Sequence, residues 1–179
     1  MTDLIIRHAV AADAESLATL ARASFVEAFG AQNQPEHLAA HCDNSFSASK
    51  QAQEIVDPAR VTVLAQMGAA LVGYVQVLSH SPNENVDAEQ PAEVCRLYVL
   101  SAWHGRGVAQ ALMQEVLRVT AHADVLWLGV WEENPRGIAF YKKYGFEVVG
   151  RQIFDVGSDP QHDFVMAVSL ENDERIVNK

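Results

Sequence analysis

One stretch, residues 92–123, constrains the fold more than any other. It opens with Ala92-Glu93-Val94-Cys95-Arg96-Leu97-Tyr98-Val99-Leu100. Val94, Leu97, Tyr98, Val99 and Leu100 leave little room for a solvated face, so this piece reads as a largely buried strand. After Ser101-Ala102-Trp103-His104 come two glycines, Gly105 and Gly107, separated by one residue. Beyond them Val108, Leu112, Val116 and Val119 recur at steps of three or four, the period of an amphipathic helix. Strand, glycine turn and helix N-terminus together make an anion site. Glycine lets backbone approach a ligand, unpaired N–H groups point outward, and the helix dipole favours negative charge. The pyrophosphate of a cofactor is one occupant of such a turn. An ordinary strand-to-helix loop is the alternative reading.

Length and charge narrow the class. With 179 residues the chain can bury a sizeable core. We expect residues 1–179 to form a single domain, with a core from about 4 to 170 and a polar tail at 171–179. No apolar run approaches the roughly 18 residues that span a bilayer, and the N-terminus lacks the pattern of a secretory signal. Cys42 and Cys95 make neither a disulfide framework nor a metal site, and the default for Cys95 is a buried, inert thiol. These features lead us to expect a cytoplasmic protein with no membrane partner and no metal. The net charge of −10 comes with no basic stripe, which argues against nucleic acid. Acidity repels a phosphorylated cofactor at long range, so local backbone dipoles must hold it; the same charge attracts cationic substrates. Acidity that merely keeps the chain soluble is the simpler reading.

Along the chain, Leu4-Ile5-Ile6-Arg7 reads as a short strand. Asp13 is a candidate N-cap for a helix whose stripe holds Leu17, Leu20, Ala21, Ser24, Phe25 and Ala28. Phe25 and Phe29, four apart, could meet one pocket. Pro35 opens a short helix through Leu38 and Ala39, and Ser47 caps another over residues 48–55. The segment 30–58 is polar and reads as a lid or specificity region more than as core. His37 and His41 have a metal-ligand spacing on a helix but no further ligands to match. Residues 61–65 and 70–77 form a hairpin around Gly68, and residues 79–90 a mobile loop. Residues 125–131 make a strand that follows the long helix, giving a parallel pair with a right-handed crossover. Asn134 caps the next helix, with Pro135 in its first turn and Gly145 just past its end. Two strands close the chain, 146–154 and 163–170, joined by Gly157-Ser158-Asp159-Pro160.

Two motifs now stand in order. His104-Gly105-Arg106-Gly107-Val108-Ala109 resembles the Gln/Arg-x-x-Gly-x-Gly/Ala signature of the GNAT superfamily of N-acetyltransferases. The run from Asn134-Pro135-Arg136-Gly137-Ile138-Ala139 through Phe140-Tyr141 to Tyr144-Gly145-Phe146 resembles that family's second motif. The resemblance covers residues 5–170. Within the superfamily the chain looks most similar to PaiA-type spermidine/spermine acetyltransferases. That likeness rests on Trp127-Leu128-Gly129-Val130-Trp131-Glu132, on Ala139-Phe140-Tyr141-Lys142-Lys143, and on Phe29, Gln32-Asn33 and Pro35-Glu36. His104 departs from the usual Gln or Arg, which makes that loop contact neutral or pH-sensitive. Gly137 inside the second helix costs roughly 1 kcal/mol against alanine.

The resemblance implies an α/β (α+β) GNAT-type fold: a mixed, mostly antiparallel sheet with one central parallel pair and flanking helices. It implies direct transfer of an acetyl group from acetyl-CoA to a primary amine, with a small cationic amine such as a polyamine as acceptor. The pyrophosphate would sit on the N–H groups of Gly105, Arg106, Gly107, Val108 and Ala109, beside His104. Arg106 either adds charge there or faces solvent. The pantetheine arm would pair with Leu97, Tyr98 and Val99 as an added strand, and Asn134 would contact the same arm. A backbone N–H near Val99 could polarise the thioester carbonyl. An alkyl amine has a pKa of about 10 and needs a base. Glu93 is the candidate, six residues before Val99 and so expected on its face; a strand-edge carboxylate or salt bridge is the alternative. Tyr141 is the candidate acid for the departing thiolate, against a packed core tyrosine. Glu27, Asp43, Glu54, Asp155 and Asp159 are carboxylates that a polyamine site could use, though each also reads as a surface charge. Competing functions are a protein or amino-acid N-acetyltransferase and a non-catalytic acyl-CoA-binding module. A homodimer is a further expectation.

Overall fold

The computed structural model describes residues 3–170, so the expected polar tail lies outside the described residues. Seven strands form one sheet: β1 (Leu4–His8), β2 (Arg60–Met67), β3 (Ala70–Ser79), β4 (Pro91–Val99), β5 (Val125–Trp131), β6 (Glu147–Val156) and β7 (Asp159–Ser169). Their order is β1-β2-β3-β4-β5-β7-β6, and only β4 and β5 run parallel. This is the mixed sheet expected from the sequence, with the parallel pair at its centre.

Among the described residues five α-helices cover the two faces: α1 (Ala14–Phe29), α2 (Pro35–Ser45), α3 (Ala48–Val56), α4 (Val108–Val119) and α5 (Pro135–Lys142). The stripe of α4, with Val108, Leu112, Met113 and Val116 buried, packs with Val75, Val94, Leu126, Leu128 and Met166 on one face. On the opposite face Leu17, Leu20 and Phe25 of α1 meet Leu38, Cys42, Phe46, Leu64 and Tyr74. The segment 30–58 holds the two expected helices, and it supplies core residues Leu38, Cys42 and Phe46 as well as the cleft-lining His41 and Glu54. Its buried apolar residues are few but correctly spaced. Asp13 precedes α1 without capping it; its carboxylate instead pairs with Arg7 and accepts the Val10 N–H. Ser47 does cap α3, accepting the Lys50 N–H. The final hairpin is longer than expected, because Pro160 sits in β7 opposite Asp155 and leaves a turn at Gly157-Ser158.

The segment 79–90, which composition marked as mobile, is tied down. Trp127 Nε1 donates to the Ser81 carbonyl at 2.7 Å, Asn83 Nδ2 donates to Gln152 Oε1, and the Glu89 and Gln90 N–H groups donate to Asp124. Polar composition signals an exposed backbone, and here the side chains of Trp127 in β5 and Asp124 just before it satisfy part of that backbone, while Gln152 of β6 holds the Asn83 side chain.

A buried polar network joins α3 to the sheet and positions β4. Arg96 donates to Glu54 Oε2 at 2.6 Å and to Gln76 Oε1. Gln76 Nε2 lies 3.2 Å from oxygens of Gln51, Glu54 and Thr62. The Glu54 side chain is 8% exposed and that of Arg96 18% exposed. Removing one partner from such a pair leaves a buried charge uncompensated, which costs more than the intact pair contributes. Glu54→Ala is expected to lower unfolding free energy by about 3 kcal/mol, measured by urea denaturation. A loss below about 1 kcal/mol would be the signature of a surface pair instead.

Candidate active site

The central strands part company. β4 and β5 are paired only at Pro91–Val125, Ala92–Leu126 and Glu93–Trp127. Beyond them a cleft of about 930 Å³ opens, with Leu97, Tyr98 and Val99 on one wall and Gly129, Val130 and Trp131 on the other. A bulge marks the point of divergence: Gln76 faces Arg96, the next residue Val77 faces Val94, and Cys95 is the extra residue. A bulge bends its strand and sharpens the local twist.

The same bulge corrects the expectation that Glu93 shares a face with Val99. The extra residue inverts the alternation, so Ala92 and Val94 share the α4 face with Leu97 and Val99. Glu93 falls instead with Arg96 and Tyr98 on the face covered by α1, α2 and α3. Its carboxylate still lines the cleft, where Oε2 accepts the Ser81 hydroxyl at 2.6 Å. Cys95 is inert: burial pushes its thiol up to about 11, and Arg60 Nη1 donates to the sulfur at 3.3 Å.

Backbone direction follows from the antiparallel ladder. The Leu100 N–H donates to the Val72 carbonyl, so Leu100 and Tyr98 bond to β3 while Val99 and Leu97 point away from it. The N–H groups of Leu97 and Val99 therefore face the cleft where β5 has departed. The Val99 carbonyl is occupied, because His104 Nε2 lies 2.8 Å from it. His104 Nδ1 lies 2.6 Å from Arg136 Nη1. Guanidinium can only donate, so Nδ1 accepts and Nε2 carries the proton. His104 thus bridges the end of β4 and the start of α5, across the cleft mouth.

The glycine turn has the form expected of an anion loop. Gly105 and Gly107 have φ of +73° and +83°, and a Cβ built on either meets nothing within 4 Å. Ala111 N–H is bonded to the Gly107 carbonyl, so those of Val108, Ala109 and Gln110 have no intrahelical acceptor. Arg106 lies with its guanidinium carbon 5.2 Å from the centre of the Trp103 ring.

Across the cleft, Asn134 caps α5, its Oδ1 accepting the Gly137 N–H at 2.9 Å. A Cβ on Gly137 would sit 2.7 Å from Asn134 Nδ2, so glycine there makes room for the cap. Tyr141 lines the cleft and packs against Phe140 and Phe146. Burial raises its phenol well above the usual range, which keeps the hydroxyl protonated at neutral pH. Tyr98 is raised likewise by burial, then by neighbouring Tyr141.

The cleft wall beside α1 is aromatic. Phe29 lies 6.3 Å from Tyr98 and 6.2 Å from Trp131, so one α1 side chain spans the gap between the parted strands. Phe25 packs 4.7 Å from Phe29, and His41 stacks on Phe25 with its imidazole pKa lowered by burial. His37 turns elsewhere, toward Ser158. Of the five carboxylates considered from sequence, Glu27 and Glu54 reach the cleft wall. Glu27 holds the Ser101 N–H and Glu54 holds Arg96, while Asp43 pairs with Arg22 outside the cleft.

Two cleft residues escaped the sequence reading. Asp163 of β7 is 8% exposed, lines the cleft and faces Trp131 of β5. Burial first, then the charge of Glu132, pushes its carboxyl up to about 6. Its one sequence signal is the alternation with buried Val165. Arg60, at the start of β2, lines the cleft beside Glu93 and Cys95. Its Nε has no hydrogen-bond partner, and no carboxylate pairs with it among the described residues.

The sequence model described as the Acetyltransferase (GNAT) family matches residues 15–146. An uncharacterized N-acetyltransferase of Mycobacterium bovis is 34% identical over 160 residues, covering 88% of this chain and 98% of the relative. An L-amino acid N-acetyltransferase of Escherichia coli is 43% identical over 53 residues, 28% of this chain and 33% of that protein. Among solved structures, the PaiA N-acetyltransferase of Thermoplasma acidophilum in complex with coenzyme A superposes with a TM-score of 0.75 at 22% identity, covering 93% of this chain and 99% of that one. The chain belongs to the GNAT family and is an N-acetyltransferase.

The Asn134–Gly137 contact gives a test. In an open helix Gly→Ala gains about 1 kcal/mol. At Gly137 the added methyl must displace a cap contributing about 1 kcal/mol and also relieve a close contact. Gly137→Ala is expected to lower the melting temperature; a rise of several degrees would mean that Asn134 yields without cost.

Proposed function

We propose that this enzyme transfers the acetyl group of acetyl-CoA directly to a primary amine of a small cationic acceptor, such as a polyamine, in the cytoplasm. The observation that carries the reading is the cleft between β4 and β5. One side offers unpaired backbone donors and an anion loop; the other offers aromatic walls and two carboxylates, Glu93 and Asp163, that are in no ion pair among the described residues. Aromatic faces and carboxylates together suit an alkylammonium.

The residues present fit acetyl-CoA. The N–H groups from Gly105 to Ala109 would take its pyrophosphate, with Gln110 next in line, and the positive φ of Gly105 and Gly107 leaves that approach open. Leu97 and Val99 would hold the pantetheine arm by their N–H groups, with Tyr98 between them and Asn134 opposite. Acetyl-CoA supplies an activated acyl group on a thiol leaving group. The Val99 N–H would donate to the thioester carbonyl oxygen, where negative charge develops as nitrogen attacks. Glu93 would take the proton from the acceptor ammonium through a chain of waters along the cleft, because it stands several residues back on β4 from Val99, leaving the lone pair free. Tyr141, kept protonated by burial, would hand its proton to the departing sulfur. His104 would act indirectly, holding the Val99 carbonyl so that the adjacent N–H groups stay aimed.

One observation favours a second acceptor class. Arg60 stands in the cleft beside Glu93 with no anionic partner among the described residues, so an acceptor with a carboxylate, such as an amino acid, would find a cation there. The Escherichia coli relative is named for such substrates.

Steady-state acetylation with acetyl-CoA separates the readings. Spermidine and spermine are expected to give a higher kcat/KM than free amino acids or peptides; inert polyamines beside reactive amino acids would transfer the assignment to Arg60. Tyr141→Phe is expected to lower kcat by about 10- to 100-fold, the lower part of the range for a general acid, with acetyl-CoA affinity within about twofold. Unchanged kcat would leave Tyr141 as packing alone.

A further inference from the structure

We propose that Asp163 is a second catalytic base, placed at the reacting nitrogen itself, which removes the surplus proton that this nitrogen carries once it has bonded to the acetyl carbon. The proposal rests on the direct transfer to an amine proposed above, and it holds whichever small amine is the acceptor. Glu93 serves the first proton and Asp163 the second.

The strand register puts Asp163 beside the thioester. Asp163 pairs with Trp131 of β5, and Glu93 pairs with Trp127. The four residues from Trp127 to Trp131 separate the two levels by roughly 13 Å. On β4 the same advance from Glu93, with Cys95 as one extra residue, ends at Tyr98. Tyr98 immediately precedes Val99, whose N–H would hold the thioester carbonyl. Leu126, Leu128 and Val130 pack with α4, so Trp131 and its partner Asp163 share the opposite face. Gly129 then lets the side chain reach across β5. A Cβ on that glycine would come within 3.1 Å of Asp163 Oδ2 and 2.5 Å of Gln152 Nε2, so the carboxylate lies over Gly129, at the edge of the gap between β4 and β5. A glycine inside a strand often marks a close approach of this kind. Burial raises the Tyr98 phenol, and Tyr141 and the charge of Asp163 add to it, so the three groups meet in one part of the cleft.

The carboxylate is free to act. It is buried, yet no hydrogen bond or ion pair reaches it among the described residues. Trp131, its partner on β5, is aromatic. Gln152, its partner on β6, accepts from Asn83 through its carbonyl oxygen, and Gln161 of β7 donates to Asn33 at 2.7 Å. Across the cleft Glu27 of α1 holds the Ser101 N–H, and burial lowers the imidazole pKa of His41 of α2. Burial keeps Tyr98 and Tyr141 protonated. Glu132, itself paired with Arg151, adds a like charge. Burial first, then that charge, raises the Asp163 carboxyl to about 6, so it is ionised at neutral pH and more basic than an ordinary carboxylate.

The proton count calls for such a group, because an ammonium nitrogen gives up two protons on becoming an amide. Glu93 receives the first through water, which frees the lone pair. As nitrogen bonds to the carbonyl carbon, the Val99 N–H meets the electron pair displaced onto oxygen, and nitrogen is left positive with two hydrogens. Asp163 takes one of them, and the pair of that N–H bond returns to nitrogen. The C=O bond re-forms, the C–S bond breaks, and Tyr141 gives its proton to the sulfur. Asp163 then passes its proton to the Tyr141 oxygen. Both groups are restored, and the one net proton of the reaction leaves from Glu93.

Asp163→Asn keeps the shape and cannot take the proton. A carboxyl whose pKa is raised on folding contributes stability below its unfolded value of about 4, and that contribution is lost as pH rises through about 6. The variant should therefore melt no lower than the wild type at pH 7.5. The experiment compares the two proteins from pH 5 to 9 on whichever of spermidine, n-butylamine and L-alanine the wild type acetylates best, with melting temperature and acetyl-CoA affinity as controls. The expected result at pH 7.5 is a fall of about 100-fold in kcat, the low end for a general base, with acetyl-CoA affinity within about twofold. Wild-type kcat/KM should drop as pH falls through about 6, and that limb should be absent from the variant. A kcat within about threefold of the wild type's, or a limb near pH 6 that persists in the variant, overturns the role of Asp163 while the amine reading stands. A loss of kcat that comes with a melting temperature several degrees lower also overturns it, because the residue then serves the fold. A wild type that acetylates none of the three amines removes the proposed function and this role together.

Discussion

The structure depends on the parting of β4 from β5 after the Glu93–Trp127 pair. A sheet satisfies its backbone by pairing each strand with the next, and an interior edge left open is costly unless something else supplies partners. Here the Cys95 bulge turns β4 away, and Leu97 and Val99 are left with N–H groups facing a cleft. His104 takes the Val99 carbonyl and reaches on to Arg136, so one edge group is satisfied by the fold itself. The proposed function gives the remaining N–H groups their use: they receive an extended, hydrogen-bonding substrate where the missing strand would have been.

Charge is divided along the same cleft. The net charge of −10 disfavours a phosphorylated donor at a distance. Such repulsion is screened beyond about 8 Å at physiological salt. On the proposed reading the first turn of α4 prevails within that range, a helix N-terminus alone contributing about 0.3–1 kcal/mol for a bound anion. The rest of the cleft carries the opposite sign in Glu93 and Asp163, set among Phe25, Phe29, Tyr98 and Trp131. On the proposed reading one cleft thus meets an anionic donor and a cationic acceptor from its two ends without bringing like charges together.

Much of this was legible in the sequence, for identifiable reasons. The glycine pair before the α4 stripe and the Asn134-Pro135 start of α5 are local signals, and local signals survive folding. The order of the elements around them was enough to place β4 and β5 in parallel. What could not be read depended on one extra residue or on distant partners. The bulge at Cys95 carries no glycine or proline to announce it, yet it moves Glu93 to the other face from Val99. The polar residues of α2 and α3 hid their core role, because buried Gln51 and Glu54 are satisfied by Arg96 and Gln76, contributed by other elements. Asp163 stood at the expected start of the last strand; only the pairing of β7 with both β5 and β6 shows it enclosed.

The most direct measurement of the central claim is amide hydrogen exchange of the full chain with and without acetyl-CoA. The N–H groups of Leu97 and Val99 should gain protection together with those of Val108, Ala109 and Gln110, while the β1–β2 pairing changes little. Protection confined to the glycine turn, with Leu97 and Val99 exchanging as fast as in the free enzyme, would contradict the claim that the opened edge of β4 holds the donor.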